Sequence, residues 1–120
     1  MKFLFSLFFS LFFIHSIDSQ TLKAYEKAAD KAFEQNDYYA AMIHLADGLE
    51  INPEKASLQF QYAEVCRQFN AYETAEEYYT KVLENEEIGK FPLTKFWLGQ
   101  VKKSLGKYSD AKKLFEEFSN

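Results

Sequence analysis

A six-residue pattern occurs three times in this chain, and it constrains the fold more than any other feature of the sequence. The pattern reads small turn residue, any residue, Tyr, any two residues, Ala, and it occupies residues 36–41, 70–75 and 106–111. The alanines that end it, Ala41, Ala75 and Ala111, are 34 and then 36 residues apart. A period of this length is typical of small structural units that stack, each burying its apolar face against its neighbours. The sequence therefore predicts about three stacked units.

Apolar residues at three- and four-residue steps flank these turns and predict helices. Two such stripes precede the second and third turns, and they consist of Leu58, Tyr62, Val65, Cys66 and Phe69, and of Leu93, Trp97, Val101 and Leu105. After the turns, the same reasoning predicts helices over residues 38–51, 72–84 and 108–118. No segment alternates polar and apolar residues for long enough to indicate a strand, so the predicted fold class is all-α.

Particular residues mark the ends of several helices. Asp37 can cap the helix after the first turn by accepting hydrogen bonds from its free N–H groups. Asn52 and Pro53 are expected to end that helix, since proline disfavours helical geometry in the residue before it. Pro92 is suited to the first turn of a helix, where its missing N–H is no loss. We therefore expect Pro92 to open the helix before the third turn.

The turns and the helices after them resemble the second half of a tetratricopeptide repeat. The residues at the family's offsets are Tyr38, Ala41, Leu45, Gly48 and Pro53 in the first copy, Ala75, Tyr79 and Val82 in the second, and Ala111, Phe115 and Phe118 in the third. Leu98 and Gly99 match the Leu-Gly pair of the first-half helices, and Tyr62-Ala63 and Ala28-Ala29 are softer versions of it. Lys95 and Lys102 stand where a Trp and a Tyr are usual, so the third helix pair is expected to pack differently.

This resemblance implies antiparallel helix pairs stacked as about three repeats, a short right-handed α-solenoid. The repeats cover about residues 22–55, 56–91 and 92–120, and together they make one domain over residues 20–120.

Residues 1–19 have the pattern of a secretory signal peptide. Lys2 supplies a positive charge, the run from Phe3 to Ile14 is apolar except for two serines, and a short polar stretch follows. Cleavage is expected after Ser19, with Ser16 as the second choice. The alternative is a retained membrane anchor, but a spanning helix needs about 20 apolar residues and this run is shorter. The sequence therefore predicts export to the periplasm or cell envelope.

Composition and residue pattern exclude most kinds of active site. The net charge is −4 with no basic block, so a nucleic-acid partner is not expected. His44 is the only histidine after the signal, and no Cys/His cluster exists that could bind a metal. Cys66 lies on an apolar stripe, where a buried and inert thiol is expected. We predict no enzymatic activity, no catalytic residue, no cofactor and no small-molecule substrate.

A surface that binds a protein or peptide segment is the predicted function. In the family that this chain resembles, the first helices of successive repeats line a groove. The resemblance places nine residues there: Lys23, Glu26, Asp30, Phe60, Glu64, Arg67, Phe96, Gln100 and Lys103. Phe60 and Phe96 are large and apolar yet lie off the two stripes. They either anchor a bound segment, as buried aromatic residues often do, or fill space between helices.

A second resemblance concerns the setting in which the chain works. The signal peptide, followed by helices with residues 69–72 (Phe-Asn-Ala-Tyr), 91–93 (Phe-Pro-Leu) and 96–99 (Phe-Trp-Leu-Gly), is similar to the start of OmpA-like envelope proteins of type IX secretion systems. The leading hypothesis is a free, non-catalytic adaptor in the cell envelope, and the alternative is the N-terminal assembly module of a larger envelope protein. Apolar residues on the last helix, Leu114, Phe115 and Phe118, predict self-association through that helix.

Overall fold

A computed structural model describes the backbone of residues 2–120 and the side chains of residues 18–120. Over this range the chain forms six α-helices: α1 Lys2–Glu34, α2 Tyr38–Ile51, α3 Ala56–Gln68, α4 Tyr72–Glu84, α5 Thr94–Ser104 and α6 Tyr108–Ser119. A short 3-10 helix, Ile88–Lys90, takes up the two extra residues between the second and third repeats. The predicted all-α fold of antiparallel helix pairs is confirmed, with α1 against α2, α3 against α4 and α5 against α6.

The predicted signal peptide falls almost entirely on residues 1–17, whose side chains lie outside the described residues. In the part of the chain that the structure describes, no helix combines the length and the apolar character needed to cross a bilayer.

The three turns between paired helices share one backbone geometry. Asn36, Asn70 and Gly106 have φ angles of 59°, 63° and 77°, in the left-handed region that asparagine and glycine tolerate best. The next residue closes each turn by donating its N–H to the carbonyl five residues earlier, over 2.9, 2.8 and 2.8 Å. This geometry explains why the repeated pattern begins with a small turn residue.

The tyrosine of the pattern has a specific hydrogen-bonding role in the first two turns. The hydroxyls of Tyr38 and Tyr72 donate to the side-chain oxygens of Asn36 and Asn70, over 3.1 and 2.9 Å. In the third turn Gly106 has no side-chain oxygen to accept such a bond, and Tyr108 is largely exposed. The third turn therefore has the same backbone without the side-chain tie.

The alanines that define the repeat lie on the second helix of each pair. Ala41, Ala75 and Ala111 are all buried, and their small side chains let the paired helices approach closely. Two apolar clusters result, one formed by α1, α2 and α3, the other by α3, α4 and α5. Tyr79, which follows Ala75 by one turn, is wholly buried in the second cluster. The core thus runs continuously along the stack of helix pairs.

Helix ends agree with most of the predictions. α2 and α4 have the predicted bounds, α6 ends one residue later, and Asp37 accepts a hydrogen bond from the Ala40 N–H over 3.1 Å. The prediction for Pro92 is wrong, because α5 begins two residues later, at Thr94. The reason is that Phe91 ends the 3-10 helix and its carbonyl accepts hydrogen bonds from both the N–H and the hydroxyl of Thr94.

Two residues of the predicted buried stripes are instead nearly half exposed. Phe69 is 46% exposed and Leu93 is 48% exposed. Both lie just outside a helix, at the C-terminal end of α3 and the N-terminal end of α5, so the helical period no longer sets their direction.

Two lysines of the third helix pair stand where aromatic residues are usual, and whether this pair packs differently as a whole stays a prediction. At the position of the usual tyrosine, the ammonium group of Lys102 lies 2.6 Å from a carboxylate oxygen of Glu76 on α4. The other unusual residue, Lys95, pairs with Glu117 over 3.5 Å. Ion pairs with neighbouring helices therefore take the place of aromatic packing at these two positions.

Candidate functional site

A groove of about 310 Å³ lies between α3 and α5, the first helices of the second and third repeats. Its walls combine an aromatic ring with amide, hydroxyl and guanidinium groups: Arg67, Gln68, Asn70, Tyr72, Trp97, Gln100, Val101 and Ser104. Most of these residues belong to α3, to α5 or to the left-handed turn that follows α3. The groove can therefore offer hydrogen bonds and a flat apolar surface at the same place.

The guanidinium group of Arg67 lies over the indole ring of Trp97 in the wall of this groove. The central carbon of its guanidinium group is 3.7 Å from the centroid of the indole ring, within the range of a cation–π contact. Since Arg67 is on α3 and Trp97 is on α5, the contact joins two repeats. It also fixes the orientation of both side chains in the wall of the groove.

Two further side chains hold the Arg67 guanidinium in place. Its Nη2 donates to Glu64 over 3.0 Å, and its Nε donates to the hydroxyl of Tyr79 over 3.1 Å. The Tyr79 hydroxyl in turn donates to the second carboxylate oxygen of Glu64. Burial and the carboxylate of Glu64 raise the pKa of Tyr79, so its hydroxyl stays protonated as a donor. Burial opposes the charge on Arg67, but Tyr79 and Glu64 outweigh it and raise the arginine pKa.

The positive charge of Arg67 in the wall of the groove is therefore already paired with Glu64. Glu64 and Arg67 form a half-buried ion pair, and the hydrogen bonds around it use donors in a fixed geometry. Of the nine residues predicted for the groove, the structure brings Glu64, Arg67 and Gln100 together here.

The two predicted aromatic anchors are half-buried and pack against other rings. Phe60 stacks on Phe91 with centroids 5.0 Å apart and meets Tyr79 edge-on at 6.0 Å. Phe96 contacts Trp97 at 4.9 Å and the α6 ring of Phe118 at 5.6 Å. Each ring therefore fills space between helices and keeps part of its surface exposed. Whether that exposed part anchors a bound segment stays a prediction.

The remaining predicted residues lie apart from this groove. On α1, Lys23 and Asp30 are exposed, and Glu26 pairs with Lys55 over 2.5 Å, which joins α1 to the start of α3. Lys103 lines a different hollow, beside α6. The nine residues are thus distributed over several separate surface regions, and two of these regions, around Arg67 and Gln100 and around Lys103, border a described cavity.

Sequence reasoning missed the two residues that hold Arg67 from outside its own helix. Trp97 lies on an apolar stripe of the sequence and Tyr79 falls at an offset of the family pattern, so neither was expected to contact Arg67. A signal existed for Trp97, because it follows Phe96 directly and a helix cannot bury two adjacent large rings on one face. No comparable signal existed for Tyr79, since its hydroxyl meets residues of α3 only after the helices pair.

Cys66 and the acidic residues give no sign of reactive chemistry. The Cys66 thiol is wholly buried, as predicted, and burial raises its pKa to about 11. Among the described residues, no three His, Cys, Asp or Glu side chains are grouped so that they could hold a metal ion. The cavity between α3 and α5 is lined by polar and aromatic side chains instead.

Three stacked helix pairs with a groove between successive first helices define a helical-repeat fold of the tetratricopeptide kind. Residues 56–87, which span α3, α4 and the start of the following loop, match the family model of the tetratricopeptide repeat. This match supports the resemblance to the family in the second repeat.

Solved structures agree with this fold. The tetratricopeptide domain of Arabidopsis OM64 superposes with a TM-score of 0.75 at 15% identity, over 84% of this chain and 82% of that one. The second such domain of human RPAP3, in complex with an HSP70 peptide, gives 0.74 at 21% identity over 84% and 82%. A chain of the CopN–Scc3 complex gives 0.77 at 18% identity over 88% and 61%. No curated protein sequence matches significantly. At these identities the likeness establishes the fold alone.

Proposed function

We propose that this chain is a non-catalytic, exported scaffold that holds a segment of another protein in the groove between α3 and α5, in the periplasm or cell envelope. The observation on which this rests is the fixed contact of Arg67 with Trp97 in the wall of an open groove. A wall that is rigid before binding loses little side-chain freedom when a ligand docks, which favours affinity.

The chemistry of the groove fits an extended polypeptide. Gln68, Gln100 and Ser104 line the groove with amide and hydroxyl groups, which can donate hydrogen bonds to the main chain of a bound segment and accept them from it. Trp97 supplies a flat apolar surface for a side chain of that segment. A related fold supports the same use, because the similar domain of human RPAP3 was solved with a bound peptide.

Export is proposed on the N-terminal sequence, with Lys2 followed by the apolar run up to Ile14. Intact-mass measurement of the protein from its native host should show a chain that begins near Gln20. Recovery of the full-length precursor from the cytoplasm would contradict export without affecting the proposal for the groove.

Site-specific photo-crosslinking in the native host tests the groove. A photoreactive residue at Gln100, inside the groove, should crosslink to a defined partner, and the same residue at the exposed Ser109 of α6 should not. A second substitution, Ser104→Tyr, should fill the groove and abolish the crosslink from Gln100. Ser109→Tyr is the matched control, because it adds the same ring at an exposed helical position outside the groove.

The thermal melting curve of each variant should match the wild type, since Ser104 and Ser109 are both exposed. Equal crosslinking from Gln100 and Ser109, or a crosslink that survives Ser104→Tyr, would show that this groove does not hold the partner.

A further inference from the structure

A second hollow, of about 640 Å³, lies along the outer side of α6. It is lined by Lys103 from α5 and by α6 residues that recur at three- and four-residue steps, among them Tyr108, Ala111, Lys112, Phe115 and Glu116. No other helix of the described residues covers it. The hollow is therefore a helix-length surface with an apolar floor and charged edges.

The corresponding surface of the preceding repeat is a site where a helix docks. Counting from the first residue of each helix, Tyr72, Ala75, Glu76 and Tyr79 of α4 correspond to Tyr108, Ala111, Lys112 and Phe115 of α6. The α4 residues pack against α5, whose Leu98 and Val101 share the same core cluster. Glu76 adds ion pairs to Lys102 and Lys107, over 2.6 and 2.9 Å.

The charge at the key position is reversed in α6. Glu76 pairs with Lys102 of α5, the helix that docks on α4, and with Lys107 of the turn after α5, whereas the corresponding residue of α6 is Lys112. A helix that docks on α6 should therefore bring an acidic side chain to Lys112, and a basic one to Glu116 on the same edge. The pair that these two residues form within α6 is weak, at 3.9 Å, with side chains 78% and 64% exposed.

We propose that α6 docks antiparallel on α6 of a second copy of this chain. In an antiparallel pair, two residues are opposite each other when they are equally far from the two-fold axis. An axis that passes beside Leu114 places Lys112 of each copy opposite Glu116 of the other, so both charges gain partners twice by symmetry. α6 therefore has the charge pattern of the helix that should dock on it. This inference does not depend on the groove between α3 and α5.

Charge exchange tests the proposed pairing with the full chain purified from its host. Sedimentation equilibrium should show a wild-type dimer that Lys112→Glu weakens about tenfold or more, because two attractive pairs become repulsive. Glu116→Lys should weaken it similarly. The two variants mixed should form a heterodimer as tight as the wild type, since opposite charges then meet at both positions, and the double variant should also dimerise.

Lys113→Glu is the matched control, because this substitution makes the same change of charge on α6. Lys113 is exposed and does not line the hollow. It should leave the dimer unchanged, and far-ultraviolet circular dichroism should show that every variant is folded. A monomeric wild type would overturn the proposal. That result is expected if a downstream domain or another protein occupies this face instead of a second copy. Self-association that ignores all the charge changes, for example through the apolar N-terminal run, would overturn it too.

Discussion

Two helical glycines should respond in opposite ways to the same added methyl group. Gly48 of α2 has room for it: a Cβ atom would meet Leu22 at 3.4 Å and Leu58 at 3.6 Å, which are ordinary contacts. Gly99 of α5 has none, because a Cβ atom would lie 2.6 Å from Cε1 and 2.9 Å from Cδ1 of Phe115. The ring of Phe115 would have to move, and α6 holds that ring against α5.

The magnitudes follow from two effects. Replacing glycine by alanine inside a helix stabilises it by about 0.5–1 kcal/mol, because less backbone freedom is lost on folding. At Gly48 this is the whole effect. At Gly99 the overpacking costs about 1–3 kcal/mol, which cancels or exceeds the gain. The free energy of unfolding of Gly48→Ala should therefore exceed that of Gly99→Ala by about 1–3 kcal/mol, since the helix effect is common to both.

Urea unfolding followed by far-ultraviolet circular dichroism measures this difference, provided that both variants show the same dependence on urea. Phe115→Leu combined with Gly99→Ala gives a further check, because the smaller side chain should relieve the clash and the two changes should be strongly non-additive. If Gly99→Ala is as stabilising as Gly48→Ala, the contact between Gly99 and Phe115 is wrong, and with it the packing of the third helix pair.

Three other predictions test the interior and its ion pairs. Ala75→Glu should destabilise the protein by several kcal/mol, since it places an unpaired charge in the core; a wild-type melting curve would contradict the repeat register. Cys66 should react with a thiol reagent only after unfolding, because it is buried and its pKa is raised to about 11; fast labelling of the native protein would show that α3 is misplaced. Glu76→Gln should lower the free energy of unfolding by about 1–2 kcal/mol at neutral pH. If the difference in this free energy between the variant and the wild type stayed the same below pH 4, the ion pairs would be refuted.

The sign of that last pH dependence follows from the pKa of Glu76. Burial would raise it, but the hydrogen bonds from Lys102 and Lys107 outweigh burial and lower the pKa below its ordinary value of 4.5. The folded state therefore binds its proton less readily than the unfolded chain. The stabilisation by Glu76 is complete above pH 4.5 and is lost as the pH falls through the lowered pKa, so the wild type and Glu76→Gln should converge in acid.

Local rules were sufficient to predict most of the helices. Asn36, Asn70 and Gly106 adopt the left-handed geometry that their small side chains suggest, and Asp37 caps α2 as its position indicates. The predictions failed at helix ends, where Phe69 and Leu93 leave the helical period. At Pro92 a neighbouring turn, closed by hydrogen bonds to the Phe91 carbonyl, decided where the helix begins.

The groove was less predictable because its defining contacts join distant parts of the chain. Arg67 and Glu64 are one helical turn apart, so their pairing could be expected from spacing alone. The contact of Arg67 with Trp97 depends on how closely the second and third repeats stack, which no local pattern specifies. Gln59 is a similar case: this polar residue is buried because Asn85 and the Pro53 carbonyl satisfy its amide group after folding.

The ion pair of Glu64 with Arg67 has a kinetic consequence for any partner of the groove. The arginine has its own counterion within the fold, so an approaching segment encounters no net charge there to attract it from a distance. Association should then proceed at the rate of unsteered encounters, about 10⁵–10⁶ M⁻¹s⁻¹, and should change little with ionic strength. Partners of this groove would be distinguished by how long they stay bound and not by how fast they arrive.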